Sequence, residues 1–186
     1  GETFLVRISL ASSKAEWSEI DLKKGWWTIP KERTKNERIH RVPLSARAID
    51  IFRQAKVRLG GSKWVFPSSK DQPIAPRSIS RAIRNNSEKI FSDSPKHTPP
   101  YGDFFKIDHF VPHDLRRTAT SMMTSLGISE FDVSKVLNHT VQSVTNKHYN
   151  HYSYDKEKQK ALGVWERKLT TIITGKSSGK VISLKR

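Results

Sequence analysis

The stretch Pro112-His113-Asp114-Leu115-Arg116-Arg117 opens the part of the chain whose reading decides the fold. Proline suits the first turn of a helix, where a backbone N–H would have no intrahelical partner in any case. Leu115, Ala119, Met122 and Leu126 then recur at helical spacing, and Gly127 stops the run. On such a helix His113 and Arg116 stand three apart and project from one face, setting an imidazole beside a permanently charged, planar guanidinium. That pair suits a phosphate. A His-x-x-Arg is also common at solvated helix starts, so its weight depends on what surrounds it.

Downstream, Ser129-Glu130-Phe131-Asp132 reads as a capping box for a short helix ending near Leu137. Leu137-Asn138-His139 closes that helix, and Tyr149 follows within His148-Tyr149-Asn150-His151. A last long helix begins near Asp155 and turns Leu162, Trp165, Leu169 and Ile172 inward. Upstream, Trp17, Ile20 and Leu22 run into the turn Lys23-Lys24-Gly25, and Trp26 to Pro30 return from it as a hairpin. A charged stretch from Lys31 to Arg38 leads to Ile39-His40-Arg41-Val42-Pro43-Leu44, whose alternation predicts a third strand antiparallel to the second, with Lys35 in or beside the connecting turn. Ser45 is the expected N-cap of a helix that points Ile49, Phe52 and Leu59 inward and ends at Gly60-Gly61.

Trp64-Val65-Phe66-Pro67 reads as one more extended piece, and Pro76 as the start of a helix to roughly Ile90, with Ile79, Ala82, Ile83 and Ile90 as its apolar positions. From Ser92 to Asp108 the prolines 95, 99 and 100 with Gly102 predict a loop. The expected class is α+β, a mostly α-helical domain with a small three-stranded antiparallel sheet near the N-terminus.

Composition sets the partner class. The 186 residues carry 34 Lys and Arg against 18 Asp and Glu, a formal charge of +16, which points to a polyanion. The acids are spread along most of the chain, so the charge sits on a folded body rather than a disordered basic arm. No apolar run approaches a membrane span and no signal-peptide h-region is visible, so no membrane is expected. The absence of cysteine excludes disulfides, thiol nucleophiles and cysteine-bound zinc. There is no zinc spacing, Gly-rich phosphate loop or internal repeat, and the expected location is cytoplasmic. Gly1 stands where an initiator methionine would, close to an apolar segment, and is read as the start of a fragment whose missing part lies N-terminal.

Taken together, the segment from Pro112 to Leu162 resembles the C-terminal signature of tyrosine recombinases. Leu137-Asn138-His139 with Tyr149-Asn150-His151-Tyr152-Ser153-Tyr154-Asp155-Lys156-Glu157 resembles the version found in integrases of prophages and genomic islands. The likeness continues upstream through Trp17-Ser18-Glu19-Ile20-Asp21-Leu22, Trp27-Thr28-Ile29-Pro30, Thr34-Lys35 and His40-Arg41-Val42-Pro43-Leu44-Ser45. It implies that Tyr149 is the nucleophile of a reaction through a covalent 3′-phosphotyrosyl link, with Arg116, His113, His139 and Arg7 around the phosphate and Lys35 as general acid, using no cofactor, metal or ATP. Arg7 is the arginine available in its region, but Val6 and Leu10 stand where the family has glycine and glutamate. His151 stands where many relatives have arginine, a change expected to affect DNA contact more than chemistry.

The resemblance further implies double-stranded DNA attachment sites as substrate, a homotetramer on DNA, and accessory DNA-bending proteins. The catalytic domain would occupy residues 1–174, without the preceding DNA-clamp domains, and a basic tail, 175–186, would be exchanged between subunits. At this point a type IB topoisomerase, a DNA-binding regulator of the same fold without catalysis, and a basic RNA-binding module stay open.

Overall fold

A computed structural model of the chain describes residues 13–34, 36–84, 110–139 and 152–175. Three short strands form an antiparallel sheet in the order β1-β2-β3: β1 is Ile20–Asp21, β2 is Trp26–Ile29 and β3 is His40–Pro43. The registers pair Ile20 with Trp27 and Trp27 with Val42. Gly25, at φ +71°, takes the left-handed conformation that the tight β1–β2 turn requires, and Asp21 accepts the N–H groups of Lys23 and Lys24 there. This is the sheet expected from the alternation.

Five α-helices are placed among the described residues. Helix α1 is Ala46–Leu59, α2 is Pro76–Arg84, α3 is Pro112–Ser125, α4 is Glu130–Val136 and α5 is Asp155–Thr174. Ser45 caps α1 by accepting from the Ala48 N–H, and Ser129 caps α4 by accepting from the Asp132 N–H, as their sequence positions predict. The extended piece around Trp64 is present as a bridge to Glu16, with Val65 fully buried. Helix α2 is described to Arg84; Ile90 and the expected 92–108 loop lie outside the described residues.

Two apolar clusters organise these elements. Ala15, Trp27, Ile29, Phe52 and Val65 form one, beneath the sheet and α1. Ala119, Met123, Val133, Val136, Leu137, Ala161, Trp165 and Leu169 form the other, where α3, α4 and α5 meet. Several side chains depart from their expected places, among them Leu126, 37% exposed just past α3, and the exposed Ala82 on α2. Leu59 is 40% exposed and Ile172 56% exposed, because each lies in the last turn of its helix. On α3 it is Met123, not Met122, that is fully enclosed, since the stripe facing α4 and α5 is centred one residue further along.

The two clusters are tied by polar contacts that the apolar pattern does not announce. Arg41 on β3 pairs with Asp155 at the start of α5 and stacks over the Trp26 ring, while the buried Lys158 donates to the Arg41 carbonyl at 3.2 Å. Glu166 on α5 accepts the Arg47 N–H at 3.2 Å at the start of α1. No described helix is long and apolar enough to cross a membrane.

Candidate active site

The end of α4 is a Schellman turn. Leu137 is the last near-helical residue, Asn138 takes the left-handed conformation at φ +56°, and the chain closes with Asn138 N–H donating to Lys135 O and His139 N–H donating to Ser134 O. Glycine is the usual residue at such a position; asparagine is the side chain that tolerates it best. The closure fixes the backbone of His139, an exposed residue.

Arg116 reaches that turn from α3. Its Nη2 donates to the Leu137 carbonyl at 2.8 Å and lies 2.7 Å from His139 Nε2. A guanidinium has donors and no acceptor, so Nε2 accepts in this contact and His139 is the neutral tautomer with its proton on Nδ1. Arg116 is half-buried, and desolvation pulls its pKa below the ordinary arginine value. It nevertheless stays cationic throughout the range in which proteins work. The arrangement is a positive charge held in place before any ligand arrives.

His113 lies almost a full turn before Arg116 on α3 and is exposed. The start of this helix is fixed by Asp114, whose carboxylate accepts the Val111 N–H at 3.0 Å, with Pro112 buried beside it. Of the six candidate residues, the structure therefore brings Arg116 and His139 into contact and places His113 on the same helix as Arg116. Tyr149, Lys35 and Arg7 lie outside the described residues.

The neighbours of Lys35 are placed. Arg33 pairs with Glu19, which also accepts the Trp27 indole N–H at 3.0 Å, pinning the start of the turn to the sheet. Across the turn the Thr34 hydroxyl donates to the Arg38 carbonyl at 2.7 Å and accepts the Arg38 N–H at 3.1 Å. Asn36 leaves this loop for the helical half, where its amide meets that of Asn138. Neither asparagine stands out from spacing alone.

Past the segment 140–151, the chain returns at an aromatic cluster. Tyr154 packs edge-on against Phe131 of α4 and against Tyr152, with ring centroids 5.3 and 4.8 Å away, and Lys135 Nζ sits 4.6 Å from the Tyr154 and Phe131 ring centres. The Tyr152 hydroxyl donates to Glu157 at 3.3 Å, and desolvation, followed by the Glu157 carboxylate, pushes its pKa up.

The chain also has relatives among known proteins. The chain is 24% identical over 173 residues to prophage integrase IntA of Escherichia coli K12, covering 92% of this chain and 37% of that protein. It is 25% identical over 166 residues to the putative protein IntB of the same organism, covering 81% and 38%. It thus spans less than two-fifths of either relative. Among solved structures, the Tn1549 transposon integrase (residues 82–397) in complex with circular intermediate DNA matches with a TM-score of 0.52 at 12% identity, over 87% of this chain and 59% of that one. That likeness is one of fold. Residues 6–156 match the model of the phage integrase family, and the chain belongs to that family.

Proposed function

We propose that this chain is the catalytic domain of an enzyme that cuts and rejoins DNA at defined sites through a covalent phosphotyrosine bond. The observation that carries the reading is Arg116, a desolvated cation fixed between the Leu137 carbonyl and His139 at the end of α4. Donors placed in advance, where charge will develop, supply the largest share of many catalytic accelerations. A phosphodiester in transfer gathers negative charge on its non-bridging oxygens, and Arg116, His139 through its Nδ1–H, and His113 are the groups assigned to meet it, with Arg7 as the further arginine.

In this reading the Tyr149 hydroxyl attacks the phosphorus, its proton passing to solvent. The bond from phosphorus to the 5′-oxygen breaks as Lys35 hands that oxygen a proton. The 3′-phosphotyrosyl link preserves the energy of the broken bond, so attack by another strand's 5′-hydroxyl restores DNA without ATP or metal. Tyr152 is a poor rival for the role: its phenol is engaged with Glu157 and its pKa is raised, the opposite of what a nucleophile needs. Tyr154 is held by its ring contacts at the start of α5. The described residues on either side of the segment that contains Tyr149 both meet α4, His139 at its closing turn and Tyr154 against Phe131.

The proposed partners are double-stranded attachment-site DNA, three further copies of the chain in a tetramer, and DNA-bending proteins. The proposed setting is the bacterial nucleoid. The tail, 175–186, would pack on a neighbouring subunit in that assembly. The test is incubation of the chain with nicked duplex DNA followed by a denaturing gel. A protein–DNA adduct that survives denaturation is expected. A chain that binds duplex DNA yet never forms the adduct is a regulator, and one that relaxes supercoils without joining defined sites is a topoisomerase.

A further inference from the structure

We infer that Asn36 and Asn138 form a positioning pair, an amide clamp that sets the turn between β2 and β3 against the His139 turn. The inference rests on the reading above, in which that turn carries the general acid. Asn36 Nδ2 donates to Asn138 Oδ1 at 3.0 Å, and Asn138 Nδ2 donates back to Asn36 Oδ1 at 3.4 Å, joining residues 102 apart in sequence. Both residues are half-buried. Each carboxamide thereby satisfies one donor and one acceptor on the other, a cyclic pairing with a defined mutual orientation.

The clamp is not needed to make either turn. The β2–β3 turn closes on itself through Thr34 and Arg38 and is pinned to the sheet by Arg33 and Glu19. The His139 turn closes through its own Schellman bonds. What the amide pair adds is the relation between them. The residues next to it in sequence are Lys35 on one side and His139 on the other, so the pair sets the proton donor's turn relative to the phosphate-binding cation. The left-handed position of Asn138 makes the same point: glycine meets its backbone demand at lower cost, and the carboxamide is the part that reaches Asn36.

The test separates positioning from folding by changing the leaving group. A nicked duplex, selected for covalent capture by the unaltered chain from a randomised pool, is made in two forms. One has the ordinary 5′-oxygen at the scissile bond and the other a bridging 5′-sulfur, which departs as a thiolate and needs no proton. Asn138→Gly, which keeps the backbone conformation, and Asn36→Ala should each slow adduct formation on the oxygen form by about 10- to 100-fold, the cost of a misplaced catalytic group. Both should react with the sulfur form at close to the unaltered rate, which also shows that they fold. The double variant should be no slower than the worse single one, because the two residues share a single interaction.

An unchanged rate on the oxygen form, or an equal slowing on both forms, overturns the clamp. Lys35→Ala, run alongside, should show the same pattern more strongly. If it cleaves the oxygen form at the unaltered rate, the acid assignment falls and the clamp has nothing to position. If the unaltered chain forms no adduct, the reading beneath both is lost.

Discussion

In the helical half, Arg116 and His139 take their places from backbone geometry: one projects from the second turn of α3, the other follows a closed turn at the end of α4, and a backbone carbonyl holds the guanidinium. The sheet half works differently. Its cluster ends at β2 and β3, and the residues around position 35 are carried on a turn between them, held by side chains: Glu19 on Arg33, Thr34 across to Arg38, and Asn36 out to Asn138. The groups assigned to the phosphate thus inherit the rigidity of helix packing, whereas the turn assigned to proton delivery depends on individual polar contacts. A site divided in this way keeps charge stabilisation fixed and leaves proton transfer adjustable by small changes in sequence.

The largest expected effect breaks the chemistry while touching neither half. Tyr149→Phe removes the attacking oxygen, so adduct formation on nicked DNA should vanish, with DNA affinity and the unfolding transition nearly unchanged. Tyr152→Phe and Tyr154→Phe should still give the adduct; an adduct formed by the Tyr149→Phe protein would refute the assignment.

Each core can be broken on its own. Trp27→Ala and Trp165→Ala remove aromatic side chains only 2% and 5% exposed, and each should cost about 3–5 kcal/mol in denaturant unfolding. If the halves are coupled through α5 as the Arg41–Asp155 and Glu166 contacts indicate, both variants should unfold in a single transition. A two-step curve would mean that the clusters melt separately.

Arg116→Ala should leave the tyrosine able to react but slow adduct formation about a hundredfold or more, roughly 3 kcal/mol of transition-state stabilisation, by the measure of removing one preorganised donor. A loss of less than tenfold would place the phosphate elsewhere. The smallest effects belong to the helix caps. Ser45→Ala in the sheet half and Ser129→Ala in the helical half should each lower stability by about 1 kcal/mol, read as a shift in the denaturant midpoint. Neither should change the adduct rate, because neither serine takes part in the bonds that close the His139 turn or hold Arg116 there.

Much of this was legible in the sequence wherever a local rule and the tertiary environment agree. The alternation from Trp26 to Ile29 and from His40 to Pro43, the two serine caps, and the start of α3 at Pro112 each follow from neighbours in the chain. The misplacements arose where packing decides. Leu59 and Ile172 carry the right periodicity but lie in terminal turns, and on α3 the register of the stripe was set by what α4 and α5 offer rather than by Met122 itself. His113, Arg116 and His139 could be named because their motif is local. The link between Asn36 and Asn138 could not, since nothing in either segment tells an amide that it will meet another 102 residues away. The same holds for Lys158, buried against the Arg41 carbonyl although it reads as a surface lysine.

The left-handed Asn138 also constrains how the gene can drift. No single base change converts an asparagine codon to a glycine codon; the route passes through aspartate or serine. Aspartate tolerates the backbone conformation but sets a carboxylate next to His139, where a DNA phosphate is proposed to bind, and serine is a poorer occupant of the left-handed region with too short an arm to reach Asn36. Both intermediates are worse than either end point. An asparagine once established at this turn is therefore held there by the valley around it.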